Sequence, residues 1–312
     1  MIIHYLKGGL GNQLFQIFAT IALAIRLGKT FVFDTSTKTA NGCTYRTTYW
    51  ESLFKHIHDV LPNIEWKWVN SKLWHVPIST SKLHIMTEGG HHYKSIDHVF
   101  DREYNDQEDL FILEHYFQSY KYFQNEVQEI IDIFKFRELR NNLAITFPDM
   151  ETSIAMHFRL GDYLKLLNVH PILQVEYYID SLKHIRDCDD QVNNVYMFFQ
   201  KEDLYLVEPM IMKLRETFPQ YSFIWVEEET KGLSDWEELL LMSLCKHIII
   251  ANSTFSLWSA YLARYCSLGA TARNVYYPSL WFGVDMMHCN VNDMFYPDWI
   301  KIETTNIYTK KT

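Results

Sequence analysis

Three short stretches carry groups suited to holding an anion: "GGLGNQ" at residues 8–13, "HFRLGDY" at 157–163 and "ANSTFS" at 251–256. Glycines in the first let a backbone come close to a phosphate, and a helix starting there offers free N–H groups. In the second, Arg159 stands two residues before Gly161, so a tight turn presents a guanidinium whose fork of donors suits bidentate phosphate binding. Ser253 and Thr254 in the third supply hydroxyls that either cap a helix or join its N–H groups around a phosphate. The chemistry common to all three is capture of a phosphate or diphosphate.

Each of these residues also has a structural reading. Arg159 is suited to a salt bridge with Asp162, and Asp162 either serves as general base toward an acceptor hydroxyl or caps a turn. His157 shares its side of the strand with Arg159 and is either a second candidate base or a satisfied core histidine. Asp235, Glu237 and Glu238 open the run "SDWEELLLMSLCKH", where acids complement a helix dipole or accept hydrogen bonds from a nucleoside. Two further patterns carry less. "GGLGNQ" is not GxGxxG, and Asp34 is weak support for a dinucleotide site. "DCDD" holds an Asp-x-Asp at 187 and 189, but at the wrong end of the sheet for a ligand, so it reads as a solvated acidic turn rather than a cation site.

The elements that must position these groups are legible in part. "MIIHYL" predicts a strand, residues 12–27 a helix with Leu14, Phe18, Ile21, Ala22 and Ile25 on one stripe and Gly28 as its stop, and 30–35 a second strand. Residues 36–108 predict irregular or inserted structure, 110–117 a buried strand and 125–136 an amphipathic helix. Periodicity lapses over 141–153, which places a domain boundary there. Beyond it, strands at 153–158, 194–199, 221–227, 247–251 and 274–278 alternate with helices near 175–186, 203–217, 235–245 and 254–266. Such alternation predicts a doubly wound parallel sheet, which binds ligands at the carboxyl ends of its strands. The expectation is an α/β protein of two domains, 1–150 and 151–312, with parallel sheets.

Composition sets outer limits. A chain of 312 residues with 48% hydrophobic residues supports a packed core, and a formal charge of −9 argues against a nucleic-acid binder. Five widely spaced cysteines without a CxxC suggest neither a disulfide framework nor a zinc site, and fit a reducing compartment. "MIIHYL" lacks a basic leader, and no apolar run reads as the ~18 residues of a membrane span. A cytoplasmic protein is expected.

"GGLGNQLFQ", "YFQSYKYF" (116–123), "HFRLGDY", "LMSLCKHIIIANSTFSLWSAYL" (241–262) and "YYPSLWF" (276–282) occur in the order found in the α-1,2-fucosyltransferases of glycosyltransferase family 11, which this chain resembles from about residue 7 to 282. The resemblance implies two Rossmann-like domains facing a cleft (GT-B-like), with the acceptor on the N-terminal side and GDP-fucose held mainly by the C-terminal domain. It further implies a metal-independent, inverting transfer of L-fucose to a glycan hydroxyl such as O2 of a galactose, without a cofactor. Carried over by position, Arg159 binds the pyrophosphate, Asn252, Ser253, Thr254 and Phe255 surround it, and Glu238 contacts the nucleoside. Gly9, Gly11, Asn12 and Gln13 face the diphosphate or sugar, and Asp162, with His157 behind it, is the base. The chain departs from the family pattern at Leu160, where a second arginine is usual, at Glu238, where Asp is usual, and at Leu257-Trp258, where Trp-Trp is usual. A different nucleotide sugar, or a catalytically silent binding relative, are the alternatives these departures leave open.

Overall fold

A computed structural model describes residues 1–33, 38–41, 44–58, 66–69, 74–77, 83–87, 110–230, 232–267 and 273–304. The chain divides into two units, Met1–Phe134 with Asn290–Phe295, and Lys135–Cys289 with Tyr296–Thr312. The expected strand end at Asp34 and much of 36–108 lie outside the described residues.

Unit 1 is built on strands β1 (Ile2–His4), β2 (Phe31–Phe33), β3 (Leu83–Thr87) and β4 (Leu110–Glu114), all parallel in the order β2-β1-β4-β3. Between β1 and β2 runs helix α1 (Leu10–Leu27), giving the expected β-α-β start. Leu14, Phe18 and Ile21 are fully buried, and Gly28 ends the helix in a left-handed turn (φ 59°) with its N–H returned to the carbonyls of Ala24 and Ile25. Contrary to the sequence expectation, α1 is by length and composition apolar enough to cross a membrane; 78% of it is buried inside the protein, as befits a core helix. Two short antiparallel hairpins, 38–41 with 44–47 and 66–69 with 74–77, interrupt the parallel pattern.

The helix expected over 125–136 divides. Lys135 adopts a left-handed backbone (φ 56°), which separates α2 (Val127–Ile133) from α3 (Phe136–Thr146). Helix α3 occupies the stretch where the apolar pattern lapses because only Phe136 and Arg140 of it are buried. Arg140 donates from Nε to Ser243 Oγ (2.8 Å) and from Nη2 to the Ser243 carbonyl (3.0 Å), so α3 belongs with unit 2 and the division falls at 134/135 rather than near 150.

Unit 2 is the doubly wound sheet expected. Strands β5 (Ile154–His157), β6 (Asn194–Phe198), β7 (Ser222–Trp225), β8 (His247–Ile249), β9 (Val275–Pro278) and β10 (Ile300–Ile302) are all parallel, in the order β7-β6-β5-β8-β9-β10. The connecting helices are α4 (Val175–Cys188), α5 (Leu204–Thr217), α6 (Val226–Thr230), α7 (Asp235–Leu244) and α8 (Thr254–Cys266). Strand β10 and the short α6 are absent from the sequence reading. Two buried tyrosines pin the strand ends: Tyr177 donates to the carbonyls of Ile250 (2.6 Å) and Tyr276 (3.1 Å), and Tyr178 to that of His157 (3.1 Å). Fixing these carbonyls fixes where the loops leave the sheet.

Candidate active site

The chain leaves β5 toward β6 and β7 on one side and returns to β8 on the other, so the direction of winding reverses between β5 and β8. Crevices at such reversals are where doubly wound sheets hold ligands. The loops leaving these two strands are "FRLGDY" and "IANSTF".

Arg159 is partly buried and held from three sides. Its Nη2 donates to Asp162 Oδ1 at 2.6 Å, its Nη1 to Gln200 Oε1 at 3.2 Å, and its guanidinium lies 5.2 Å from the centre of the Tyr163 ring. Tyr163 in turn donates to the Asn252 carbonyl (3.0 Å), tying the β5 loop to the β8 loop. Gly161 donates its N–H to Asp203 Oδ2 at 3.0 Å. Gln200 and Asp203 lie in the loop after β6. Sequence reading missed them, although two polar residues three apart at a strand's carboxyl end are a usable signal.

At the β8 end, Ser253 is the N-cap of α8 and accepts from the Phe255 N–H. Ser253 is buried while Thr254 and Phe255, at the N-terminus of α8, are partly exposed. Asn252 is 2% exposed, and its amide donates to the carbonyls of Pro171 (2.9 Å) and Trp281 (3.3 Å), so its N–H groups are committed to two neighbouring loops. Those loops clasp at Gly283, whose N–H donates to the Val169 carbonyl (2.9 Å); a Cβ there would lie 2.3 Å from the Asn168 carbonyl oxygen.

His157 packs 5.5 Å from the Phe255 ring, and its Nδ1 has no hydrogen-bond partner among the described residues. Burial, reinforced by the charge of Arg159, lowers its pKa to about 3, so the ring is neutral at physiological pH. Among the three acids of α7's first turn, Glu237 closes a capping box, accepting from the Ser234 N–H (2.9 Å) and O–H (2.6 Å), and Asp235 accepts from the Trp236 N–H (2.8 Å). Among the described residues nothing bonds the Glu238 carboxylate, and burial, with Glu227 and Asp235 nearby, pushes its pKa up to about 7.

Two of the departures from the family pattern are buried side chains. Leu160 and Leu257 are 5% and 0% exposed, and Leu160 belongs to the unit 2 core. Asp189 of "DCDD" is spent on Lys246 (2.6 Å) and His247 (2.9 Å).

In unit 1, Gly8 has φ 79° and a Cβ there would lie 2.6 Å from Asn12 Nδ2, whereas Gly9, the N-cap of α1, has open space where a Cβ would be. Gly11 is buried; Asn12 Oδ1 accepts from Gln118 Nε2 (2.8 Å). Gln13 is fully buried and donates to the carbonyls of Gly8 (3.0 Å) and Thr47 (2.8 Å), while its Oε1 has no partner among the described residues.

Two α/β units have parallel sheets, and the second carries an arginine and a helix N-terminus at its winding reversal, a crevice whose groups suit an anionic ligand. The chain belongs to glycosyl transferase family 11, whose model matches residues 2–303. It is 28% identical over 198 residues to the alpha-1,2-colitosyltransferase of Escherichia coli, a match covering 60% of this chain and 61% of that protein. It is 26% identical over 282 residues to the O-antigen biosynthesis glycosyltransferase WbnK of E. coli, covering 82% of this chain and 88% of WbnK. Among solved structures it is similar to the fucosyltransferase NodZ from Bradyrhizobium (TM-score 0.43, 12% identity, 84% of this chain and 92% of that one). It is also similar to NodZ alpha-1,6-fucosyltransferase co-crystallized with GDP (TM-score 0.45, 12% identity, 84% and 91%).

Proposed function

We propose that the protein is an inverting, metal-independent transferase that moves L-fucose from GDP-fucose to a hydroxyl of a glycan, such as O2 of a galactose. The observation that carries this reading is the position of Arg159 and the α8 N-terminus on the two loops flanking the β5/β8 reversal. Donor diphosphate replaces Asp162 on the Arg159 fork, and the Ser253 and Thr254 hydroxyls with the α8 N–H groups take up the charge of the departing nucleotide. Asp162, released from Arg159, accepts the proton of the acceptor hydroxyl. The acceptor oxygen bonds the anomeric carbon as the bond to the phosphate oxygen breaks on the opposite face, through an oxocarbenium-like state. Neutral His157 supports the wall of the site beside Phe255. Glu238 accepts from the nucleoside base. Asn252 contributes through the loops its amide ties together.

The kinship with a colitosyltransferase favours a second reading, a colitosyl donor on the same machinery. Nucleotide release from a panel of GDP-, UDP- and dTDP-linked sugars, with galactose-ended acceptors and with EDTA, tests both. Release from GDP-fucose in EDTA is expected. Release only from another donor replaces the sugar, a metal requirement removes the proposed charge stabilisation, and silence with every donor sinks the enzyme reading.

A further inference from the structure

Asp203 is a buried carboxylate in an unusual employment. It is 4% exposed and occupies the N-cap of α5, where an aspartate ordinarily accepts from the first turn of its own helix. No such capping bond is made. Its Oδ2 instead accepts the Gly161 N–H at 3.0 Å, from a loop 42 residues earlier in the chain. Gly161 is shaped to receive it: a Cβ at that position would meet Oδ1 and Oδ2 of Asp203 at 3.0 and 3.1 Å and Gln200 Oε1 at 3.4 Å. Gln200, three residues before Asp203, accepts from Arg159 itself at 3.2 Å. The loop after β6 therefore grips the loop after β5 at two points, one on the cation and one on the backbone two residues beyond it.

We propose that Asp203 is a positioning residue that holds Arg159 at the angle needed for the departing diphosphate, acting through the Gly161 N–H. The proposal rests on the transferase reading for its catalytic consequence, but not for its structural one. A hydrogen bond from a backbone N–H to a buried carboxylate is among the stronger kinds, and misplacing a catalytic group by about 1 Å costs about 10²-fold in rate. Gly161 completes the device by having no side chain to push the carboxylate away.

The test is a cycle of Asp203→Ala, Gly161→Ala and the double variant, with Asp203→Asn as the conservative replacement, since its Oδ1 can still accept. Hydrogen exchange of the segment 158–163 should accelerate about tenfold or more in Asp203→Ala, the loss of one charge-assisted hydrogen bond, and return toward wild type in Asp203→Asn. With a competent donor, kcat should fall about 10²-fold in each single alanine variant. The double variant should be no worse than Asp203→Ala, because removing the carboxylate makes room for the methyl group. Unaltered exchange in Asp203→Ala overturns the proposal, as do losses that multiply in the double variant or an Asp203→Asn protein no better than the alanine one. Should Asp203→Ala fail to fold, the cycle of Asp203→Asn with Gly161→Ala decides, non-additive losses supporting the proposal and additive ones ending it. Wild-type protein inactive with every donor defeats the transferase reading and leaves the exchange arm to judge Asp203 by itself.

Discussion

Arg159 and Asp162 form an ion pair, Nη2 to Oδ1 at 2.6 Å, in which the carboxylate side is 41% exposed. Proposed cation and proposed base are thus stored as partners. A pair this open to water is worth no more than about 1 kcal/mol, so a diphosphate with more charge and more acceptors displaces the carboxylate readily. Asp162→Asn should therefore change GDP affinity by less than about fivefold. As the proton acceptor, however, Asp162 should be indispensable, and kcat should fall about 10²–10⁴-fold. Calorimetry of GDP binding beside transfer kinetics separates the two effects; a variant with normal kcat would show that another group takes the proton.

Arg159 carries the charge of the leaving group without a metal in this reading, so Arg159→Ala should cost about 10²–10³-fold in kcat. Arg159→Lys should recover little, since a lysine offers a point charge where the fork reaches Asp162 and Gln200 together. Circular dichroism should show both variants folded. A lysine variant with wild-type turnover would mean that charge alone, not the fork, is what the site requires.

Much of this site was legible in the sequence because it sits where strand periodicity ends abruptly. Arg159, Gly161 and Asp162 follow β5, and Ser253 and Thr254 follow β8, so recognising two buried strands was enough to place them. Gln200 and Asp203 follow a strand equally well recognised, but their role depends on a contact with a loop some forty residues away, which no local spacing reports. Helix α3 was lost for a different reason: with only Phe136 and Arg140 buried it has no apolar stripe, and its attachment is a guanidinium on Ser243. Leu160 and Leu257 depart from the family pattern in the sequence, but only the structure shows that both side chains are buried.

Buried histidines should make both units sensitive to acid. Burial lowers His4 in unit 1 and His157 in unit 2 to about 3, whereas the unfolded chain protonates its histidines near 6.5. Stability from such a group is complete above about 6.5 and drains as pH falls, by about 2 kcal/mol per histidine between 6.5 and 5. Glu238 acts in the opposite sense, because its raised pKa makes the folded state bind protons first between the ordinary carboxylate range and about 7. Unit 1 should thus lose protection in hydrogen exchange between pH 7 and 5; in unit 2, His157 and His247, both lowered by burial, drain protection over the same range while Glu238 offsets part of the loss, so Glu238→Gln should steepen it. An acid sensitivity of unit 2 unchanged in Glu238→Gln would refute this offset.

Gly8 and Gly9 are adjacent but should fail differently. Alanine at 8 meets a positive φ and Asn12 Nδ2 at 2.6 Å, so Gly8→Ala should destabilise unit 1 by about 1–2 kcal/mol. Alanine at 9 meets neither constraint, and Gly9→Ala should melt within a degree or two of wild type. Melting curves for the pair check both halves; a Gly9→Ala protein that melts as low as Gly8→Ala would show that the positive φ and the Asn12 contact at Gly8 do not set the difference.

Glu238 offers a pH signature for nucleoside recognition. A carboxylate accepts two N–H donors of a base, and protonation replaces one acceptor with a donor. With the group pushed up to about 7 by burial and by Glu227 and Asp235, protons compete with the nucleoside just below neutrality. GDP affinity should then weaken about tenfold per pH unit below 7, level off above it, and be weaker and nearly independent of pH in Glu238→Gln. Calorimetric titrations from pH 5.5 to 8.5 measure this. An affinity that does not change across that range in wild type would place the nucleoside away from α7 and leave Glu238 as a helix-dipole residue only.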